Sequence, residues 1–467
     1  MGQRPRDLEA HLSARHFFGA ELRHWRERRE LSQDRLGHLL HVSGDEIAKV
    51  EKAARWPTPS LAAACDQALD TDGIFGRLIP LVQHERGRIG RANSDQDLFG
   101  IASGAQNITP EWRRLSIPGG RAFSGGTLPI RVEAGRTSSG DVCVSTGDPS
   151  AARLIAIPNA PDDLLLLADA RSRAPIGGHT MRVPSAYRLD EFTAAIIWAV
   201  TNLDFALLDD DGLLSEAKRR LDEYKFLSRS AVSHDAARGL SMVSRMWLGS
   251  RFCAQHILRN LGAGVPLFWS REQRGEDACT WLLFTHKLTY LRQTVAGHTT
   301  GVTRSFCIPQ QAVDDSPAHE RILLFLTAAL MEALGIGVQV CGEPDYTQVD
   351  GFALQPGKRA IIATWVGGEG LWYVDVTPQR PVLRQFTDVC AYAQAHSILG
   401  EMNPQERLIT FAEYLRLDWK WLVRRCSELR QEGTAGLITP RSRFLSTTAL
   451  DISCAYLAGL RDPAAAR

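Results

Sequence analysis

The sequence predicts a multidomain protein in which an all-α domain of five helices is followed by a larger region of mixed α/β (α+β) structure. Three observations support this fold class. The chain has 467 residues, more than a single hydrophobic core usually organises. Short amphipathic helical patterns follow one another closely in the first ninety residues. From about residue 265 onward, short apolar runs alternate with helical patterns of about fifteen residues.

The N-terminal pattern contains four helices with recognisable starts and a fifth near 73–86. Ser32 and Thr58 are predicted N-caps of the second and fourth helices, because their hydroxyl oxygens can accept a hydrogen bond from a free amide of the first turn. Pro59 then occupies the first helical position of the fourth helix, where proline is favoured. These signals place a compact helical domain at 14–90.

Composition changes after this domain. The segment 91–126 is rich in glycine, serine, asparagine and proline and is predicted to be a linker that contains one short ordered piece. The segment 127–260 is predicted to be β-rich and then helical. The segment 261–460 is predicted to be an α/β domain with a helical C-terminal extension. The pattern leaves open whether the last two segments form one domain or two.

Composition and charge also narrow the class of protein. Hydrophobic residues make up 44% of the chain and charged residues 23%, as in soluble globular proteins, and the formal net charge is +1. Any affinity for nucleic acid therefore has to come from a local patch. Apolar runs such as 192–200 and 322–331 are shorter than the roughly 20 residues of a membrane span. We therefore expect a cytoplasmic protein that makes no contact with a membrane.

The nine cysteines are scattered, odd in number and without a Cys-x-x-Cys pair. This spacing argues against a disulfide framework and against a zinc ribbon or finger. We expect most of them to be buried as small apolar side chains. The chain also has no G-x-x-x-x-G-K-[ST] loop, no G-x-S-x-G elbow and no H-E-x-x-H pair. The sequence therefore predicts no catalytic residue, no cofactor and no metal site.

The stretch HVSGDEIAKVEKAARWPTP, residues 41–59, has the pattern of a DNA-reading helix and its exit, although two acids stand at its start. Ser43 to Glu46 fits a capping box, in which Ser43 accepts from the amide of Glu46 and the Glu46 carboxylate reaches back to the Ser43 amide. Asp45 suits the positive end of the helix dipole. Alternatively, Glu46 accepts a hydrogen bond from a cytosine amino group in the major groove. The two roles are compatible, and both stay open.

Residues 17–82 resemble the helix-turn-helix domain of the XRE (Cro/C1-type) transcriptional regulators, and especially those of actinobacterial regulators. The features that carry the resemblance are Leu31-Ser32-Gln33, Leu36, Leu40, Val42-Ser43, Ile47 and Glu51. In this family the second helix lies across the DNA backbone and the third helix lies in the major groove. The resemblance also implies that Glu51 pairs with an arginine of the first or second helix.

The resemblance implies nine DNA-contacting residues, divided between the two helices. Those expected to touch phosphates are Gln33 and Arg35 at the second helix, and Lys52 and Arg55 on the flanking backbone. Those expected to line the groove are Ser43, Gly44, Asp45, Glu46 and Lys49. Residues 1–91 hold 15 Lys and Arg against 13 Asp and Glu. Since one such domain would bind weakly, we expect a homodimer that spans two half-sites.

Three positions depart from the family pattern. Gly37 stands where an alanine is usual at the crossing of the two helices. His41 replaces the glycine of the turn, which requires a histidine in a left-handed or otherwise unusual backbone conformation. Ala53 replaces the glycine after the third helix. None of these changes prevents the fold, but together they leave the DNA sequence preference unpredicted.

The C-terminal region carries weaker signals. The strand and helix order of 303–398 is weakly similar to one half of a phospholipase D-like domain, but the His-x-Lys signature of active members is missing. The similarity therefore implies a non-catalytic version. The run 209–211 is predicted to end one helix and begin the next, rather than to bind a metal. His286 is predicted to be a helix residue rather than a catalyst.

Together these patterns predict a transcriptional regulator that binds double-stranded DNA as a homodimer. Its C-terminal region would oligomerise and receive a signal from a small-molecule or protein effector. One alternative is an enzyme whose N-terminal module targets it to DNA, which a deep pocket with converging polar groups in 230–400 would favour. Another is a protein-interaction regulator of the antitoxin or anti-activator type, which a stoichiometric partner would favour.

Overall fold

The computed structural model describes residues 14–71, 73–82, 111–133, 135–138, 141–145, 154–159, 164–169, 180–223, 233–296, 301–366, 372–400 and 403–460. The chain divides into two compact units, 1–98 and 99–467. The first is helical and the second mixes sheets with helices, so the predicted fold class is confirmed. The second unit includes both segments that the sequence left undecided between one domain and two.

The N-terminal unit consists of short helices around one apolar core. Its helices are α1 Ala14–Arg28, α2 Gln33–Leu39, α3 Gly44–Glu51, α4 Pro59–Leu69 and α5 at 74–82. The side chains of Ser32 and Thr58 accept from the amides of Arg35 and Leu61, each at 3.1 Å. Both predicted N-caps are therefore confirmed. The fully buried core residues come from all five helices and include Phe18, Leu22, Leu36, Ile47, Cys65, Leu69 and Phe75.

The start of α5 is held by a side chain of α4. The Asp66 carboxylate accepts from the amides of Phe75 and Gly76 at 2.9 and 2.7 Å, and from the Thr71 hydroxyl at 2.5 Å. A carboxylate at this place satisfies the free amides of the first turn and complements the helix dipole. Local sequence patterns did not indicate this cap, because Asp66 lies inside the preceding helix.

The C-terminal unit contains three sheets and twelve helices in its described part. Its strands are β1 Glu111–Ile117, β2 Gly126–Val132, β3 Gly135–Ser138, β4 Asp141–Ser145, β5 Leu154–Asn159, β6 Leu164–Asp169, β7 Thr180–Val183, β8 Leu267–Ser270, β9 Thr303–Cys307, β10 Gly337–Cys341, β11 Phe352–Gln355, β12 Arg359–Thr364 and β13 Tyr373–Thr377. Its helices are α6 Glu191–Asp209, α7 Asp211–Glu223, α8 Ser233–Ala236, α9 Met242–Asn260, α10 Gly275–Leu283, α11 Thr285–Ala296, α12 Gln310–Asp314, α13 Ala318–Ala333, α14 Arg380–Ala395, α15 Pro404–Tyr414, α16 Trp419–Glu432 and α17 Thr448–Gly459.

The first strand lies within the segment 91–126 that the sequence predicts to be a linker. β1 pairs with β2 in antiparallel register, in a sheet with the order β1-β2-β5-β6. The turn between β1 and β2 is fixed by Glu276, whose carboxylate accepts from the amides of Arg121, Ala122 and Phe123 at 2.8–3.1 Å. The ordered C-terminal unit therefore begins earlier than its composition suggested.

The largest sheet has six strands in the order β10-β9-β8-β11-β12-β13. β8, β9 and β10 are parallel, whereas β11, β12 and β13 are antiparallel to their neighbours. On one face, α14 packs against Trp269, Leu354 and Ala360. The other face contacts α9, which itself packs on α11. Both faces of the sheet are thus covered, as expected when short apolar strands alternate with helices.

The helical pattern of 276–294 is interrupted at Phe284, which has an extended backbone between α10 and α11. The interruption is caused by the C-terminal segment. Phe284 forms an isolated antiparallel bridge with Leu445, and the amide of Ser446 donates to the carbonyl of Leu283 at 2.8 Å. No proline or glycine marks this break, because its partner lies about 160 residues away.

The apolar run 192–200 belongs to α6, a helix of 19 residues that is long and apolar enough to cross a membrane by length and composition. However, 78% of its apolar window is buried inside the protein, and α6 packs against α9 and α13. A core helix passes the same length test, and the burial explains the composition. As predicted, 209–211 ends this helix and begins α7.

A late segment of the chain, 425–442, forms hydrogen bonds with residues between 169 and 204. The Asp204 carboxylate accepts from the amides of Arg441 and Ser442 at 2.8 and 2.7 Å. Asp169 accepts from the amide of Thr439 at 3.0 Å. The guanidinium of Arg425, which is fully buried, donates to the carbonyl of Ala186 at 2.8 Å. The segment 425–442 is therefore part of the structure that holds β6 and α6.

Cysteine burial agrees with the sequence prediction. The eight cysteines whose side chains are described are all buried and none forms a disulfide. Burial raises the pKa of Cys65 and Cys390 to about 12, so both thiols stay protonated. They contribute to the protein as small apolar groups.

Candidate nucleic-acid interface

The connection between α2 and α3 has the geometry of a tight turn. His41 has a φ of 54°, so the left-handed conformation that was expected at this histidine is confirmed. The amide of Val42 donates back to the carbonyl of Gly37 at 2.9 Å. A Cβ at Gly37 would lie 2.7 Å from the carbonyl oxygen of Val42, which explains the glycine at the helix crossing.

The orientation of α3 is fixed by a buried ion pair with α1. The Arg26 Nε donates to Glu51 at 2.5 Å and its Nη2 donates to the second carboxylate oxygen at 3.1 Å. The Arg26 Nη1 also donates to the carbonyl of Leu31 at 2.9 Å. The hydrogen bond to Glu51 raises the pKa of Arg26. The expected pairing of Glu51 with an arginine of the first two helices is thus confirmed.

Gln33 adds a third member to this pair. Its Nε2 donates to Glu51 at 2.7 Å, and the side chain is only half-buried. One amide hydrogen of Gln33 therefore serves the interior of the domain. Its second amide hydrogen is the donor left for the phosphate contact that the resemblance implies. That contact stays a prediction.

The start of α3 corrects the predicted capping box. The Ser43 hydroxyl accepts from the amide of Glu46 at 3.1 Å, so the first half of the motif is present. The Glu46 carboxylate does not complete it, and instead pairs with Arg55 at 3.3 Å. Glu46 thereby joins the start of α3 to the segment that follows this helix.

The remaining charged residues of α3 lie at the surface. Asp45 and Lys49 form an exposed pair one helical turn apart, with 2.6 Å between Oδ2 and Nζ. Lys52 and Arg35 are also exposed. Both acids at the start of α3 therefore have a basic partner on or just after the same helix. An exposed pair of this kind is worth only about 0.3–0.5 kcal/mol, so a phosphate group can compete for the basic member.

Gly44 has a packing role that the sequence did not indicate. A Cβ at this position would overlap the side chain of Asp34 in α2. At the far end of α3, Ala53 adopts a φ of 52° with its methyl group buried. The absence of a side chain at Gly44 thus lets the two helices approach closely.

The structure brings the nine predicted DNA-contacting residues onto α2, α3 and the segment just after α3. Six of them are exposed, whereas Gln33, Gly44 and Glu46 are half-buried by the contacts described above. The exposed cations and hydroxyl are Arg35, Ser43, Lys49, Lys52 and Arg55, beside exposed Asp45. Within the described ranges, no three His, Cys, Asp or Glu side chains converge on a point that could hold a metal ion.

Comparison with known proteins agrees with this geometry for the N-terminal part. Residues 18–74 match a protein family described as a helix-turn-helix domain. No curated protein and no solved structure matches the chain. The matched residues cover α1 to α4 and include every predicted DNA-contacting residue. The N-terminal unit therefore carries a helix-turn-helix domain, which supports a DNA-binding regulator in general.

Proposed function

We propose that this protein is a transcriptional regulator of the XRE type that binds double-stranded DNA as a homodimer. In this proposal α3 enters the major groove, and Gln33, Arg35, Lys52 and Arg55 contact phosphates. The larger C-terminal unit dimerises and receives a signal, without catalysing a reaction, in the cytoplasm. The non-catalytic phospholipase D-like resemblance of 303–398 stays a prediction within this scheme.

The observation that carries the proposal is the contrast between the two sides of α3. Its inner side is locked to α1 by the buried Arg26–Glu51 pair, with 2.5 Å between the nearest atoms. Its outer side presents Lys49 and then Lys52 to solvent. A rigidly held helix with exposed donors is what recognition of a groove requires, because each donor must keep its position relative to the bases.

The small net charge of one N-terminal unit supports the proposed dimerisation. The N-terminal unit has almost equal numbers of acidic and basic residues, and Lys49 and Arg55 are already paired. Only a few phosphates can be neutralised by one such surface, so the electrostatic part of binding is small. Two copies that contact half-sites about 34–36 Å apart would double the number of contacts without a change in the surface.

The test is selection from sheared genomic DNA with full-length protein, followed by affinity measurements on the enriched sequence at several salt concentrations. The variant removes Lys49 and Lys52 together by substitution with alanine. The control removes two exposed cations of α1 by Arg23→Ala and Arg28→Ala, so the change in net charge is the same.

The proposal predicts a two-fold symmetric enriched motif for the wild type. It predicts an affinity at least about tenfold lower for the Lys49 and Lys52 variant. The slope of log affinity against log salt should be reduced by about 2, because each of the two copies loses the Lys52 phosphate contact. The control is expected to change the affinity much less. Equal loss in both variants would show that α3 has no special role, and no enriched sequence would contradict regulation through DNA.

A second candidate function is an enzyme that its N-terminal unit directs to DNA. The observation that favours it is a cavity within 250–366 where several charged side chains converge. Incubation of full-length protein with a set of small carboxylates and aldehydes, followed by NMR, separates the two functions. Chemical conversion of a compound would favour the enzyme, whereas unchanged compounds would favour the regulator.

A further inference from the structure

A small cavity lies at the carboxyl end of β8, on the sheet face that is covered by α9 and α11. Its volume is about 40 Å³, which is space for a few water molecules or one small ion. Beside β8 the order of the sheet reverses, because β9 and β10 follow on one side and β11 returns on the other. β8 and β9 are parallel, and in open α/β sheets ligands bind outside the carboxyl ends of such strands.

One wall of the cavity holds a buried lysine. Lys287 is 2% exposed, and its Nζ lies 3.5 Å from the ring centre of Trp281 and 3.9 Å from that of Trp365. Among the described residues, Glu272, Arg304 and Cys253 influence this ammonium group through their charge, and none of them forms a hydrogen bond with it. Two aromatic faces offset only a part of the cost of burying a charge.

A second buried cation lies nearby on β9. Arg304 is 4% exposed, and its Nη1 donates to the Ser270 hydroxyl at 2.7 Å. Its Nη2 donates to the Tyr290 hydroxyl at 3.3 Å, and its Nε has no acceptor among the described residues. The partners of this guanidinium are neutral, so they leave its charge without a matching anion.

The one carboxylate among the described residues that line the cavity is Glu272. It is 1% exposed, and it accepts from the indole Nε1 of Trp281 at 2.8 Å. At the rim, Arg271 pairs with Asp350 at 3.7 Å, and Asp350 itself is half exposed to solvent. When Lys287 is protonated, the buried lining therefore contains two cations and one anion, which is an excess of one positive charge.

We propose that this cavity binds a small, singly charged carboxylate, with the Lys287 ammonium group as its direct donor and Arg304 as the second cation. One negative charge balances the excess of the lining, and a carboxylate group fits the volume. The aromatic walls disfavour a strongly hydrated dianion such as phosphate. If the protein is the regulator proposed above, this carboxylate is its effector; that coupling rests on the proposed function, whereas the binding does not.

The titration of Lys287 agrees with this assignment. Burial, only partly offset by Glu272, lowers the pKa of Lys287 to about 7. The groups that face it are Cys253 on α9, Tyr290 on α11 and Arg304 on β9, and burial raises the pKa of both Cys253 and Tyr290. Lys287 therefore loses its proton near neutral pH in the empty protein, and a bound anion would favour the charged form.

The test measures binding to full-length protein by ligand-observed NMR, with acetate and pyruvate as the probes and inorganic phosphate as the comparison. The variant is Lys287→Met, which keeps the length of the side chain and removes the charge. The control is Lys358→Met, which removes an exposed lysine that bonds the carbonyl of Ala263 outside the cavity. DNA is absent, so failure to bind DNA does not affect this result.

The proposal predicts that wild type and Lys358→Met bind a carboxylate with affinities within about twofold, and that Lys287→Met binds at least about tenfold more weakly. It also predicts that wild-type affinity falls several-fold between pH 6 and pH 8, because the empty site loses the Lys287 proton over this range. This pH series does not depend on how the variant folds. Equal binding by Lys287→Met, preference for phosphate, or no carboxylate binding at any pH would each overturn the proposal. A second measurement then compares DNA affinity with and without the carboxylate.

Discussion

The surface of α3 and the cavity beside β8 each contain a lysine, but the first lysine is exposed to solvent and the second is buried. On α3, Lys49 is half exposed and paired with Asp45 at 2.6 Å. In the cavity, Lys287 is enclosed between two indole rings and has no paired carboxylate within hydrogen-bond distance among the described residues. The first lysine can exchange one partner for another at little cost. The charge of Lys287 can reach water only if the surrounding structure unfolds locally.

This difference indicates what each group can do. An exposed ion pair contributes little to folding, and for that reason its members remain available to a strongly charged partner such as a phosphate backbone. A buried cation lowers the stability of the empty protein, so a ligand that neutralises it stabilises the folded state. Burial, more than residue type, separates a surface for DNA from a site for a small ion.

The largest loss of stability is expected from a substitution that leaves a buried charge of the N-terminal unit without its partner. Glu51→Ala leaves Arg26 buried without its carboxylate, and we expect the unit to lose about 3–5 kcal/mol of stability. Hydrogen exchange of the α1 to α4 amides in the full-length protein measures this loss. Asp45→Ala, which removes the acid of the exposed pair with Lys49, should cost less than about 0.5 kcal/mol. Similar losses in both variants would contradict the comparison.

An intermediate effect on stability, which depends on pH, is expected from a buried carboxyl group of the C-terminal unit. Burial raises the pKa of Asp277 to about 7 even though Arg121 lies 3.0 Å away. The folded protein then holds a proton that the unfolded chain releases, so stability falls as the pH rises from about 4 to about 7.

Asp277→Asn should flatten this decline, because the amide does not titrate. Thermal unfolding followed by circular dichroism between pH 4.5 and pH 8 measures the slope. Asp388→Asn, which changes an exposed acid of α14, is the control and should leave the slope as in wild type. An unchanged slope in Asp277→Asn would show that another group is responsible.

The smallest effect is expected in the turn before α3. His41→Gly relieves a left-handed backbone at an exposed histidine, and we expect a gain of about 0.5–1 kcal/mol. Ala53→Gly relieves a similar φ but also removes a buried methyl group worth about 0.8 kcal/mol, so its net effect should be close to zero. Urea unfolding followed through α1 to α4 compares the two. A loss of stability in His41→Gly would indicate that the histidine side chain makes a stabilising contact.

The N-terminal site was largely predictable because its signals are local. Ser32, Ser43 and Thr58 stand immediately before helical patterns, and an N-cap acts within three residues of its own position. The partner of Glu51 was predicted only as a class of residue, since Arg26 is one of several arginines in the first helix. The contact of Glu46 with Arg55 was missed because it competes with the capping box that its spacing suggests.

The cavity was not predictable from local patterns. Its lining comes from α9, β8, α10, α11, β9 and β12, which are distributed over more than one hundred residues. Lys287 lies on α11, just after the interruption at Phe284, where the chain pairs with the distant Leu445. β1 was predicted only as a short ordered piece of a linker and not as a strand. Only Leu115 and Ile117 of its described side chains are buried, so its apolar pattern is short.

The hydrogen bond from Arg425 to Ala186 joins residues that are 239 positions apart. During synthesis at about 5–20 residues per second, α6 leaves the ribosome roughly 10–50 s before the segment 425–442 that packs near it has been made. Over that interval one of the most apolar helices of the protein has no completed partner surface. We therefore expect the yield of soluble protein to change with translation speed. A truncation before Arg425 would release a chain that cannot finish folding its larger unit.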